Sequence, residues 1–111
     1  MLDLLDPEYF VGCVDVGHAK LTGYQPEDFL YAAKDRVKCL HIHCNDGNLD
    51  SHQLPYFAPC NWDGLMKALR DINYDGWFTF ELIGYLGRFP AELLPDALKL
   101  AAATGRYLIE R

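Results

Sequence analysis

The sequence has no histidine after residue 52, no cluster of lysine and arginine, no Cys-x-x-Cys pair, and no low-complexity segment. It also lacks any apolar run of about 18 residues, so no segment is a candidate membrane span. Ten basic residues against sixteen acidic ones leave a formal charge of -6. The long-range field would repel a phosphate backbone, and nucleic acid is not an expected partner. The start, Met1-Leu2-Asp3-Leu4-Leu5-Asp6, lacks the basic residues of a secretory signal, which makes the cytoplasm the expected compartment. Cys13 and Cys39 fall inside apolar runs, and with Cys44 and Cys60 they read as reduced, buried thiols rather than disulfides. With 111 residues, half of them apolar, the chain is one domain at most and can bury a real core.

What is present is concentrated. All four histidines, His18, His41, His43 and His52, lie in one stretch together with Asp15, Asp46 and Asp50. Imidazole with carboxylate is the usual set for a divalent metal or for acid-base work. Asp15 and His18 form Asp-Val-Gly-His at the end of the apolar run Phe10 to Val16, where a buried strand should open into a loop. His41 and His43 end a second run from Val37. Glu81 ends a third, Gly76 to Leu82. Three strands, near residues 10–16, 37–43 and 77–82, therefore carry polar groups at their carboxyl ends, where open α/β sheets and (β/α)8 barrels place catalytic groups.

Helical segments separate these runs. Pro26 opens one that reaches about Lys34, at a first-turn position where its missing N–H costs nothing. Asn61 can cap a second, Trp62 to about Ile72. A third runs from Pro90 to Ala103, with Leu94, Ala97, Leu98 and Ala101 inward and Gly105 as its stop. Alternating strands and helices predict an α/β fold of three parallel strands in chain order, with right-handed crossover helices on one face and the other face open. Val14, Val16, Leu40, Ile42, Phe78, Phe80 and Leu82 form the face for the helices. Cys13, Asp15, Cys39, His41, His43, Trp77, Thr79 and Glu81 point the other way. The segment Leu2 to Tyr9 looks like the tail of a preceding element.

Six segments in order, Cys-Val-Asp-Val-Gly-His-Ala (13 to 19), Leu-His-Ile-His-Cys-Asn-Asp-Gly (40 to 47), Asp-Ser-His (50 to 52), Asn-Trp-Asp (61 to 63), Tyr-Asp-Gly (74 to 76) and Thr-Phe-Glu-Leu (79 to 82), resemble the xylose-isomerase-like barrel superfamily. That group takes in sugar-phosphate isomerases and epimerases and the apurinic endonucleases. The resemblance implies a partial (β/α)8 TIM barrel, residues 1–111 forming the C-terminal portion with the last three βα units. It makes Asp15, His41 and Glu81 ligands of a divalent metal ion (Mn, Mg, Co or Zn), with Glu81 also a catalytic acid-base group. His18 matches a histidine that contacts substrate oxygen in the epimerases and binds metal in the endonucleases. His43, two residues past His41 and nearer the rim, would support the site or touch substrate. The family's fourth ligand, a glutamate of the preceding strand, would lie before Met1. Cys44 stands where the family often has aspartate.

Each residue also has a plainer reading. Asp15 could cap a turn, and His41 could be a core histidine. Asp50 and His52 could be turn chemistry or ligands of an additional metal, with Asp46 and Gly47 forming the turn itself. Trp62, Tyr56 and Phe57 could stack on a sugar or simply pack, while Lys20 and Arg88 read as solvated surface. The leading function is a metal-dependent sugar (phosphate) isomerase or epimerase, moving a proton between adjacent carbons through an enediolate of a small-molecule sugar. The alternatives are a zinc-dependent phosphodiesterase like the apurinic endonucleases, and a truncated remnant without activity alone. Open sheet edges would call for self-association or a complementing chain.

Overall fold

The computed structural model describes residues 2–110. Its elements are β1 (Gly12–Asp15), α1 (Val16–Leu21), α2 (Pro26–Ala33), β2 (Val37–His41), α3 (Trp62–Asp71), α4 (Ile83–Leu86) and α5 (Leu94–Ile109), with 3-10 turns at Leu2–Leu4, Lys34–Arg36 and Ala91–Leu93. β1 and β2 are parallel, with Cys13 opposite Cys39, Val14 opposite Leu40 and Asp15 opposite His41.

The sheet has two strands, and the run 77–82, expected as a third, forms no strand of its own. It joins the sheet through one parallel bridge, Ile42 to Phe80, in which the Ile42 N–H donates to Thr79 O (2.8 Å) and the Glu81 N–H to Ile42 O (3.0 Å). The direction and order agree with the sequence reading, but the ladder stops there. The Trp77 carbonyl, two residues before Thr79, accepts the Tyr74 hydroxyl instead (2.9 Å), and the Trp77 side chain is 87 % exposed. Phe10 and Val11 likewise stay outside β1. Beyond His41 the chain turns into an antiparallel bridge between Cys44 and Gln53, bonded both ways at 2.8 and 2.9 Å.

One strand face is apolar because side chains alternate along a strand. Val14, Leu40 and Ile42 pack there in a single core with Leu30 of α2, Leu65 and Leu69 of α3 and Leu108 of α5. Each such side chain contributes about 1.5–3 kcal/mol when fully buried. Pro26 occupies the first turn of α2, and the Asn61 side chain caps α3 by accepting the Gly64 N–H (3.1 Å). A smaller cluster joins Leu54, Leu82 and Tyr85 to Ala97 and Ala101.

Two helix expectations are corrected. α5 does not stop at Gly105 but runs to Ile109, burying Ala97, Ala101, Gly105 and Leu108, while Leu98 faces outward. Gly105 serves close packing: a Cβ there would lie 3.2 Å from the Phe80 ring. The loop expected after Asp15 is helix α1, whose Val16, Gly17 and Ala19 are buried. Among the described residues no helix is long and apolar enough to cross a membrane.

Candidate metal centre

Asp15 ends β1 and begins α1, and it performs two tasks at once. Its Oδ1 accepts the His18 N–H (2.8 Å), which caps the helix, and lies 3.0 Å from His43 Nε2. Its Oδ2 lies 2.9 Å from His18 Nδ1 and 3.8 Å from His41 Nδ1. Capping and site formation are therefore compatible, because the two oxygens divide the work.

His41, at the end of β2, and Glu81, one residue past the Phe80 bridge, complete a convergent set. His41 Nδ1 is 3.5 Å from Glu81 Oε2, and one ligand atom from each of Asp15, His41 and Glu81 lies within 4.8 Å of the others. Two metal–ligand distances of roughly 2.1 Å span about 4.2 Å, so the measured separations suit a shared ion after small rotations. Glu81 Oε2 is buried with no hydrogen-bond partner. Such an oxygen is costly to desolvate unless something positive meets it, so the donor set fits a divalent cation.

A second group lies alongside. One ligand atom each from His18, His43, Asp50 and His52 falls within 4.8 Å of the others. His43 is fully buried rather than near the rim, stacked on His52 with centroids 3.9 Å apart and planes 6° apart. Burial lowers its pKa despite the Asp15 carboxylate, which favours the neutral imidazole. His18 is raised, first by its hydrogen bond to Asp50 (3.0 Å). For Asp50, burial opposes ionisation, but the bond to His18 and the nearby imidazoles hold its pKa below the usual value. His52 adopts φ 42°, a left-handed conformation uncommon outside glycine, and its Nε2 lies 3.6 Å from Glu81 Oε2. That link joins the two groups. Asp50 and His52 are thus part of the cluster, whereas Asp46 forms the turn, accepting the N–H groups of Asn48 (2.9 Å) and Leu49 (3.0 Å).

Three residues have supporting roles that the sequence did not show. A Cβ on Gly17 would fall 1.9 Å from the His43 ring, so only glycine lets that imidazole reach Asp15. Buried Asn45 donates to Gly17 O (2.9 Å) and accepts the Gly47 N–H (2.9 Å). Lys20 is not solvated surface: its Nζ donates to Asn45 O (2.6 Å) and to Pro59 O, tying α1 to the loop. Arg88 is exposed, as expected. Trp62 is buried packing, while Tyr56 and Phe57 are exposed. All four cysteines are free, but only Cys44 is buried; Cys39 and Cys60 are partly buried, and Cys13 is exposed. The reason is geometric, since it points to the uncovered face of β1.

The sequence model described as xylose isomerase-like TIM barrel matches residues 1–104. The chain belongs to that family. It covers sugar isomerases and epimerases as well as enzymes like the apurinic endonucleases. The chain is also similar to "Uncharacterized protein y4fM" of Sinorhizobium fredii (strain NBRC 101917 / NGR234), 38% identical over 73 residues. The match takes in 65% of this chain and 24% of that protein, so the chain spans about a quarter of that relative's length.

Proposed function

We propose that the chain carries part of the active site of a metal-dependent isomerase or epimerase acting on a sugar, a sugar phosphate or a related polyol. The observation that carries the reading is the convergence of Asp15, His41 and Glu81 at the carboxyl ends of neighbouring parallel segments. When bound, a divalent ion would polarise adjacent carbonyl and hydroxyl oxygens of the substrate. Asp15, His41 and Glu81 would hold it. Glu81 would also take a proton from one carbon and return it to the neighbour, with an enediolate between the two transfers. His18, half exposed on α1, would orient a substrate oxygen. His43 cannot reach solvent and would act by holding Asp15.

The uncovered face of β1 and β2 supplies no wall to exclude water. Turnover would therefore need further strands, from a longer chain or from a complementing partner that covers the open edges. A second reading rests on the His18, His43, Asp50 and His52 group, which suits an additional metal in a phosphodiesterase; the charge of -6 counts against a nucleic-acid substrate.

The test is calorimetric titration of the purified chain with Mn and Zn beside a Glu81→Gln variant, with a ketose-epimerisation screen. One weakly bound Mn per chain, lost on substitution, with little or no turnover until the missing strands are supplied, is the expected result. Robust turnover by the isolated monomer, or activity indifferent to loss of Glu81, would overturn the assignment. Two or more zinc ions per chain, one of them lost on Asp50→Asn, would favour the phosphodiesterase.

A further inference from the structure

The residues two positions before Asp15 and His41 are Cys13 and Cys39, and they too are partners in the parallel register. A strand returns to the same face every second residue, so this thiol pair lies directly beneath the Asp15–His41 pair, on the face the helices leave uncovered. Neighbouring strands are about 4.8 Å apart, which brings two facing sulfurs within reach of one ion. One ligand atom each from Cys13, Cys39 and His41 lies within 4.8 Å of the others.

We propose that Cys13, Cys39 and His41 form a separate thiolate–imidazole site for a soft or borderline cation, Zn2+ foremost. Two sulfurs and one nitrogen select Zn or Cu(I) over Mg and Mn, which prefer oxygen. The exposed Cys13 side chain gives an ion direct access, and water can fill the fourth tetrahedral position. Each S–H bond is replaced by a sulfur–metal bond, and both protons pass to solvent. The other two thiols have different surroundings: Cys44 is buried with its Sγ donating to Leu54 O (2.9 Å), and Cys60 is partly buried in the loop before α3. Because both groups draw on His41, a cation on the sulfurs competes with one on the carboxylates. A thiophilic metal would therefore displace Mn2+ from the Asp15–His41–Glu81 group without touching either acid. This inference does not require the isomerase reading.

Cd2+ tests it through the ultraviolet charge-transfer band of a thiolate–cadmium bond, recorded on the purified chain with a phosphine reductant. The wild-type protein should show the band and release two protons per ion. Cys13→Ser, at an exposed position, should lose about half of the band, since one of two thiolates goes. Cys13→Ser with Cys39→Ser should abolish it and weaken Cd2+ binding at least about 100-fold, the upper end of what losing mere supporting contacts costs. Glu81→Gln should keep the band even while it loses Mn2+. No band in the wild type, or an undiminished band in the double variant, would overturn the proposal; loss of Mn2+ binding is read separately, so the two assignments fail independently.

Discussion

Replacing Gly17 by alanine should destabilise the protein although alanine is the better helix former. The added Cβ would lie 1.9 Å from His43 Cε1, 2.2 Å from Nδ1 and 2.5 Å from Nε2, where real Cβ contacts stay beyond 3.0 Å. The ring must retreat by more than an ångström, yet it is fully buried, stacked on His52 and bonded to Asp15 at 3.0 Å. Overpacking of this kind costs about 1–3 kcal/mol. Losing a hydrogen bond to a charged group adds about 1.5–3 kcal/mol. Removing glycine from the α1 helix offsets about 1 kcal/mol. The net expectation is a loss of about 1.5–5 kcal/mol, and with a urea slope near 2 kcal/mol/M the midpoint should fall by roughly 0.8–2.5 M. Urea unfolding followed by circular dichroism measures it. In a His43→Ala background the clash is gone, so the same substitution should become neutral or mildly stabilising, a non-additivity that isolates the contact. A midpoint unchanged or raised by Gly17→Ala alone would refute the reasoning.

Asn61→Ala removes both the α3 cap and the bond from Asn61 Nδ2 to Glu27 Oε1 (2.7 Å), and thermal unfolding should report a loss of about 1–2 kcal/mol, where a change within error would contradict the capping role. Asp46 has its pKa lowered from the usual 3.8, chiefly by the Leu49 and Asn48 N–H groups. A depressed folded pKa means the contribution is complete above 3.8 and is lost as pH falls through the lower folded value, so Asp46→Ala should lower Tm at neutral pH, with the gap to wild type closing in strong acid. A gap that widens on acidification would show the sign to be wrong.

The chain by itself determined the strand directions and the polar rim, because these follow from local facts, whereas the grouping of Asp15, His41 and Glu81 was implied by the family resemblance. Alternation of Val14, Leu40 and Ile42 against Cys13, Asp15, Cys39 and His41 separates two faces wherever a strand forms, and Pro26 and Asn61 mark helix starts through their own backbone chemistry. Tertiary structure alone decided the rest. Gly105 reads as a stop in isolation, yet α5 runs through it to Ile109, and its lack of a side chain leaves room for the Phe80 ring. Lys20 reads as surface until the 45–59 loop folds over and offers two carbonyls. Asp50 and His52 read equally as turn residues or as ligands until that loop returns them beside His18 and His43. These outcomes depend on contacts between residues 9 to 39 positions apart, and no local propensity encodes which group will satisfy a buried polar atom.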